Sequence, residues 1–384
     1  MRQRGPELTS LAQLDDLRAL TADTGPYLSL YLSLRPATEE LALATSLKWQ
    51  EACKRAADAG APAALLDTVD TWVEGSHREG AGLCVVATPA GPALVEHLER
   101  SPAFELVRWE VTPTLTPLLA ARQRRQPHVL VQVDRQGADV TVGRGQATVT
   151  ELSLHGRKYP LSKVYPSGRS QRRIQQRAEE TWHRNMHAVA EDVVALARDT
   201  DARIVAIGGD QDAVGLIEDQ LPEDVRDLVQ PISVTRAADG SVSRTDNELD
   251  AVLDRWVDDE IARTVETYHE ELGKRDRATA SAADTLDALR ASRVALLLVE
   301  LQADDTSRAW LGDAADQVFL TVAELAALSV APAEGAGSPS AAGSDRTAPL
   351  LDAAVSAALT TGAEVLVLPA DGRVPGGIGA LLRW

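Results

Sequence analysis

Short apolar runs of strand length recur along the chain, separated by stretches whose apolar residues return every third or fourth position. His128-Val-Leu-Val-Gln-Val-Asp134, Arg203-Ile-Val-Ala-Ile-Gly-Gly209, Arg293–Glu300 and Glu364–Pro369 are runs of the first kind. Ser170–Asp199 is the longest of the second kind, with Ile174, Ala178, Trp182, Met186, Val189, Val193, Leu196 and Ala197 spaced along one helix face. A chain alternating these two periods folds as α/β, its helices laid on sheets. At 384 residues it is also too long for one hydrophobic core. The reading is therefore three α/β domains, 1–124, 125–262 and 263–384, each a mixed sheet with flanking helices.

In the first domain, a helix over Leu8–Ala22 precedes Pro26-Tyr-Leu-Ser-Leu-Tyr-Leu-Ser-Leu34, whose alternation predicts a strand with one buried face. Helices over 39–59 and 62–72 follow, then strands at Gly82–Ala87, Ala93–Leu98 and Phe104–Val111. Thr112-Pro-Thr-Leu-Thr-Pro117 reads as a linker or crossover. The second domain opens with a three-strand meander punctuated by Gly137, Gly143 and Gly145. It continues through the long helix, strand 203–209, a helix over 212–220, a strand over 229–234 and a helix from about Asn247. The third has a helix at 284–291, strands at 293–300 and 317–320, a helix at 349–361 and a strand at 364–369. Residues 331–347, rich in Ala, Gly, Ser and Pro, predict a disordered loop.

No apolar run approaches the ~20 residues of a membrane-spanning helix. Met1-Arg-Gln-Arg-Gly-Pro-Glu7 lacks the apolar core of a signal peptide, so a cytoplasmic location is expected. Cys53 and Cys84 are too few for a disulfide framework or a self-contained zinc site. The net charge of −18 argues against a general nucleic-acid coat. That charge is unevenly spread: Arg122–Arg184 holds 13 basic and 5 acidic residues, a net of +8, leaving −26 elsewhere. An acidic body with one basic segment predicts a single site for an anionic partner.

Several patterns that can carry chemistry do not do so here. Gly208-Gly209 after a strand matches neither phosphate-loop pattern and reads as a tight strand-to-helix turn with Asp210 or Asp212 as N-cap. Gly143-Arg-Gly145 reads as a hairpin turn. His183 and His187 share a helix face, but Arg184 stands where a metalloprotease has glutamate. The pair is thus solvated or faces nucleic acid, and no metal or cofactor is expected. Asp258-Asp259 and Asp304-Asp305 read as solvated faces. The informative run holds Arg157, Lys158, Lys163, Arg169, Arg172, Arg173 and Arg177 with no acid among residues 157–177. Pro160, Pro166 and Gly168 make its first half a loop, and its second half enters a helix. Cations at a helix N-terminus oppose the helix dipole, so an external anion would compensate them; a solvated basic loop is the plainer alternative.

Three stretches resemble the archaeal and eukaryotic class-I peptide chain release factor superfamily, which includes Pelota. Ser167–Glu191 is similar to the family's Gly-Gly-Gln loop and the basic helix after it. Ala283–Glu300 is similar to its third-domain helix and strand. Gly376-Gly-Ile-Gly-Ala-Leu-Leu-Arg-Trp384 is similar to its Gly-Gly-Ile-x-x-Ile-Leu-Arg-Phe/Tyr ending. In the first domain, Ala44-Thr-Ser-Leu-Lys-Trp49 is faintly similar to the codon-reading Asn-Ile-Lys-Ser loop, with Lys48 at the lysine; a helix interior explains it equally well.

The departure lies at Ser167-Gly168-Arg169, where the family presents Gly-Gly-Gln. The resemblance implies that this tripeptide enters the peptidyl-transferase centre and positions the attacking water. Ser167 opposes the backbone freedom of two glycines, and Arg169 is a charged side chain suited to phosphate. Hydrolysis is therefore not expected. The resemblance implies a non-catalytic factor occupying the A site of stalled or hibernating ribosomes, as part of a stress response. Arg157, Lys158, Lys163, Ser167, Gly168, Arg169, Arg172, Arg173 and Arg177 would lie on rRNA or P-site tRNA. A translational GTPase would meet the C-terminal domain, and no membrane is involved. The alternative is a peptidyl-tRNA hydrolase or ribosome rescue factor working through the altered loop.

Overall fold

In the computed structural model, residues 13–22, 25–34, 39–75, 80–134, 137–145, 147–155, 168–233, 242–302, 306–329 and 346–384 are described. They form two compact units: residues 1–123 with 260–384, and residues 124–259.

The N-terminal part of the first unit contains α1 (Asp15–Thr21), β1 (Tyr27–Ser33), α2 (Glu39–Asp58), α3 (Ala63–Gly75), β2 (Gly82–Thr88), β3 (Gly91–Leu98), β4 (Leu106–Glu110) and α4 (Thr116–Arg122). The strands form an antiparallel sheet in the order β3-β2-β1-β4. β1 is buried on both faces, not one. Leu28, Leu30 and Leu32 pack with Trp49, Ala52, Leu65 and Val69 of α2 and α3. Tyr27 and Tyr31 turn the other way, into a core with Leu115, Leu118 and Leu119. Ser29, polar by pattern, is buried and accepts a hydrogen bond from the Thr114 N–H at 2.9 Å. The second face is covered because the segment read as a linker runs into a helix: Pro117 sits in the first turn of α4, where a proline costs no hydrogen bond. Lys48 lies inside α2 and pairs with Glu105 Oε1 at 2.8 Å, which favours the helix-interior reading of that stretch.

The second unit contains β5 (Pro127–Val133), β6 (Gly137–Arg144), β7 (Ala147–His155), α5 (Gly168–Asp199), β8 (Ile204–Gly209), α6 (Gln211–Glu218), α7 (Glu223–Arg226), β9 (Val229–Pro231) and the start of α8 (Val242–Lys274). The sheet order is β7-β6-β5-β8-β9; the expected meander is antiparallel, and β8 and β9 continue it in parallel. Strand alternation divides the core into two layers. Val129, Val131, Val133, Val205 and Ile207 meet Met186, Val189 and Val193 of α5. On the other face, Leu130, Ile204 and Ala206 meet Leu249, Val252 and Leu253 of α8.

The C-terminal part adds β10 (Ala278–Thr279), α9 (Ala282–Arg290), β11 (Val294–Glu300), β12 (Arg308–Leu311), β13 (Val318–Phe319), α10 (Val322–Ser329), β14 (Thr347–Pro349), α11 (Leu350–Thr360), β15 (Glu364–Leu368) and β16 (Ile378–Leu382). Its sheets run β10-β16-β11-β15 and β13-β12-β14. The loop expected over 331–347 lies outside the described residues except for Arg346 and Thr347, the latter the first residue of β14. The ending that resembles a family motif is structural here. A Cβ on Gly379 would stand 2.5 Å from the Tyr268 hydroxyl. Arg383 donates to the carbonyls of Ser292, Thr361 and Gly362, at the ends of α9 and α11.

The N- and C-terminal parts share one core, in which Leu17, Tyr31 and Leu118 pack in the same cluster as Val355, Leu359 and Val367. Polar contacts reinforce it. Gln123 donates to the Val367 carbonyl at 2.8 Å and accepts from its N–H at 3.2 Å, capping the open edge of β15 as a strand would. Asp352, buried on α11, pairs with Arg108 of β4 at 3.1 Å and accepts from the Thr114 hydroxyl at 2.7 Å. The boundary expected at 262/263 falls inside α8, whose residues up to Asp259 count with the second unit.

Candidate nucleic-acid interface

The basic run starts after the edge strand β7, which ends at His155 opposite Gly137, and continues into α5, which begins at Gly168. α5 returns the chain to the start of β8, so its N-terminus points toward the end of the sheet where β5 and β8 finish. Its 32 residues span ~48 Å, against ~20 Å for the six residues of β8. The apolar stripe read from the sequence packs on the sheet through Met186, Val189, Val193 and Ala197, with Trp182 and Leu196 partly buried.

Of the nominated residues, Arg157, Lys158, Lys163 and Ser167 lie outside the described residues. Gly168, Arg169, Arg172, Arg173 and Arg177 fall in the opening turns of α5, whose first turn holds no acidic residue. At ~100° per residue, positions 169, 172, 173 and 177 occupy an arc of about 140°. The same arc contains His183, Arg184 and His187, all exposed, and it lies away from the packed stripe. His187 contacts Gln220 through Nδ1 and Glu191 through Nε2. Arg184, which the sequence reading did not nominate, continues the stripe; its position seven residues after Arg177 was the available signal. Cations here add to the positive end of the helix dipole, and the arrangement suits a polyanion lying along one helix face.

The other patterns resolve into structure. Gly209 has φ +137°, and a Cβ there would stand 1.8 Å from the Val133 carbonyl oxygen. Asp210 then caps α6 by accepting from the N–H groups of Asp212 and Ala213, the turn expected from the sequence. Gly145, with φ +64°, turns the chain between β6 and β7. Asp258 is exposed and pairs with Arg124 at 2.8 Å, while Asp304 and Asp305 lie outside the described residues. Burial pushes the Cys84 thiol up to about 12, so it is no nucleophile at neutral pH. Among the described residues no group of three or more His, Cys, Asp or Glu side chains is placed to hold a metal. No described helix is long and apolar enough to cross a membrane.

The second unit is thus a mixed sheet opened by a meander and followed by a long helix whose opening turns are cationic. Residues 127–274 match the model of bacterial archaeo-eukaryotic release factor family 2, so the resemblance read from the sequence holds for that stretch, which is less than half of the chain. No curated protein matches the sequence. Among solved structures, the chain is similar to Pelota from Archaeoglobus fulgidus, at 13% identity over 100% of this chain and 99% of that one, with a TM-score of 0.35. It is similar to archaeal Pelota in a model of the ribosome-bound protein with ABCE1, at 13% identity, 98% and 95% coverage and a TM-score of 0.40. It is also similar to the archaeal translation termination factor aRF1, at 16% identity, 96% and 97% coverage and a TM-score of 0.24.

Proposed function

We propose that this chain is a non-catalytic ribosome-binding factor that occupies the A site of stalled or hibernating ribosomes. The observation that carries the reading is the acid-free, cationic opening of α5 within the release-factor-like stretch, with Arg169, Arg172, Arg173, Arg177 and Arg184 on one face. Together with Arg157, Lys158, Lys163, Ser167 and Gly168, these residues would lie on rRNA or on P-site tRNA. The guanidinium groups suit phosphate, and binding would then release counterions.

Two features favour binding over hydrolysis. Serine and arginine replace the first and third residues of the Gly-Gly-Gln tripeptide. In addition, Gly168 and Arg169 lie within the helix, which constrains the backbone where a release factor requires freedom. A translational GTPase would be met by the segment 263–384. Co-sedimentation of the full chain with ribosomes tests binding, and the pellet should empty as salt is raised. Peptide release from a peptidyl-tRNA–ribosome complex tests the non-enzyme reading. The expected result is no release above background, and robust release would establish the hydrolase alternative instead.

A further inference from the structure

The charged arc of α5 has two halves of different character. Residues 169–177 hold no acid, whereas the turns after them mix signs. At ~100° per residue, the arc set by Arg169, Arg172, Arg173 and Arg177 goes on to include Glu180, His183, Arg184, His187 and Glu191, while Glu179 falls about 20° outside it. All five of these side chains are exposed. With both imidazoles neutral, this stretch sets one cation against two carboxylates, a net of −1. With both protonated it sets three against two, a net of +1. The histidines therefore decide the sign of the arc beyond Arg177.

Their surroundings fix where the proton goes. His187 Nδ1 lies 2.5 Å from Oε1 of Gln220, just past the end of α6. The Gln220 amide is oriented by its Nε2, which donates to the Leu216 carbonyl at 2.7 Å, so Oε1 accepts and Nδ1 keeps its hydrogen. Nε2 is then the atom that titrates, 3.5 Å from the Glu191 carboxylate, with Arg184 one turn before it. His183 has Glu179 and Glu180 one turn before it and His187 one turn after, and its ring centroid is 5.6 Å from that of Trp182. Among the described residues, no charged side chain of another element comes within ion-pair reach of either imidazole.

We propose that His183 and His187 make the polyanion contact of α5 pH-dependent. Protonated, they carry the cationic stripe about 15 Å further along the helix, from Arg177 to residue 187; neutral, they leave it ending at Arg177. This rests on the ribosome-binding reading and adds a regulation to it. Histidine is the side chain whose charge ordinarily changes between about pH 5 and 8. Contact with phosphate is then coupled to proton uptake at each imidazole, so affinity rises as pH falls. Arg184 alone cannot extend the stripe, because Glu180 and Glu191 outweigh it until the histidines charge.

The test is ribosome binding by the full chain, measured against salt at pH 8 and pH 6. Three proteins are compared: the parent, a variant with His183→Gln and His187→Gln, and one with His183→Lys and His187→Lys. Comparison with the glutamine variant cancels any titration of the ribosome itself. The ratio of parent to glutamine-variant affinity should rise roughly tenfold from pH 8 to pH 6, the coupling of one pKa unit. Over the same interval the parent's slope of log affinity against log salt should steepen by about 1–2 more than the variant's, one counterion per new phosphate contact. The lysine variant, charged at both pH values, should already bind more tightly than the parent at pH 8. A ratio that does not change with pH, or a lysine variant no tighter than the parent at pH 8, overturns the inference. The ribosome-binding reading survives either result, because the parent still binds. A parent that binds at neither pH contradicts that reading itself, and the inference falls with it.

Discussion

Asp352→Asn probes whether the N- and C-terminal parts stand or fall together. The side chain of Asp352 is 3% exposed and that of Arg108 20%. The amide keeps the volume and can still accept from Thr114, but it leaves the Arg108 guanidinium without its countercharge. Removing one partner of a fully buried pair costs about 3–5 kcal/mol; the fifth of Arg108 that reaches water lowers the expectation to about 2–4 kcal/mol. For a unit of this size each kcal/mol moves the melting temperature by about 2–4 °C, so a fall of roughly 4–16 °C is expected. The assay is calorimetry of the full chain, with the second unit followed separately by amide hydrogen exchange in β5 and β8. Its protection should not change. Arg108→Met in the same chain should recover part of the loss, because it removes the stranded charge. If Asp352→Asn melts within ~0.5 kcal/mol of the parent, the level of an ordinary surface substitution, the seam does not depend on this pair.

Three further outcomes follow from the same structure. The segment 263–384 expressed alone should lack a cooperative melt, because its core is completed by Leu17, Tyr31 and Leu118; a native-like near-UV spectrum would contradict this. Gly209→Ala should destabilise the second unit by about 3 kcal/mol or more, since it combines a positive φ with a clash on the Val133 carbonyl, and denaturant unfolding measures it. Burial holds the His128 imidazole below its ordinary value of 6.5, although the Gln126 carbonyl and Asp250 act in the opposite direction. The unfolded chain therefore takes up this proton before the folded one does. The contribution to stability is complete above pH 6.5 and falls as pH drops through it, by at most about 1.4 kcal/mol per pH unit. His128→Asn should remove that slope from the second unit's denaturation curve.

Legibility from sequence varied with how much each element depends on distant residues. The long helix and the parallel core strands were readable because their burial pattern is local: Met186, Val189 and Val193 repeat on one face, and Val129–Val133 alternate between two apolar layers. β1 was misread because Leu-Ser-Leu-Tyr alternation reports one apolar face, while the other is covered by Tyr side chains and by α4 and α11. α4 was missed because Pro113 and Pro117 read as loop signals, although a proline in the first turn starts a helix. The shared core of the two terminal parts left no local signature, since it joins residues such as Arg108 and Asp352 that are 244 positions apart. For the candidate interface, the charge run was visible in the sequence. Its arrangement with Arg184, His183 and His187 needed the helical register.

The proposed function requires Arg169, Arg172 and Arg173 to touch nucleic-acid phosphates. Its most direct test is the salt dependence of ribosome binding by the full chain and by the variant with all three replaced by alanine. If each contacts one phosphate, the variant should bind more weakly, and the slope of log affinity against log salt should be shallower by about 2–3. Circular dichroism should show the two proteins equally folded. Equal affinity and equal slope would mean that the cationic opening of α5 is only a solvated face, and the proposed function would lose its physical basis.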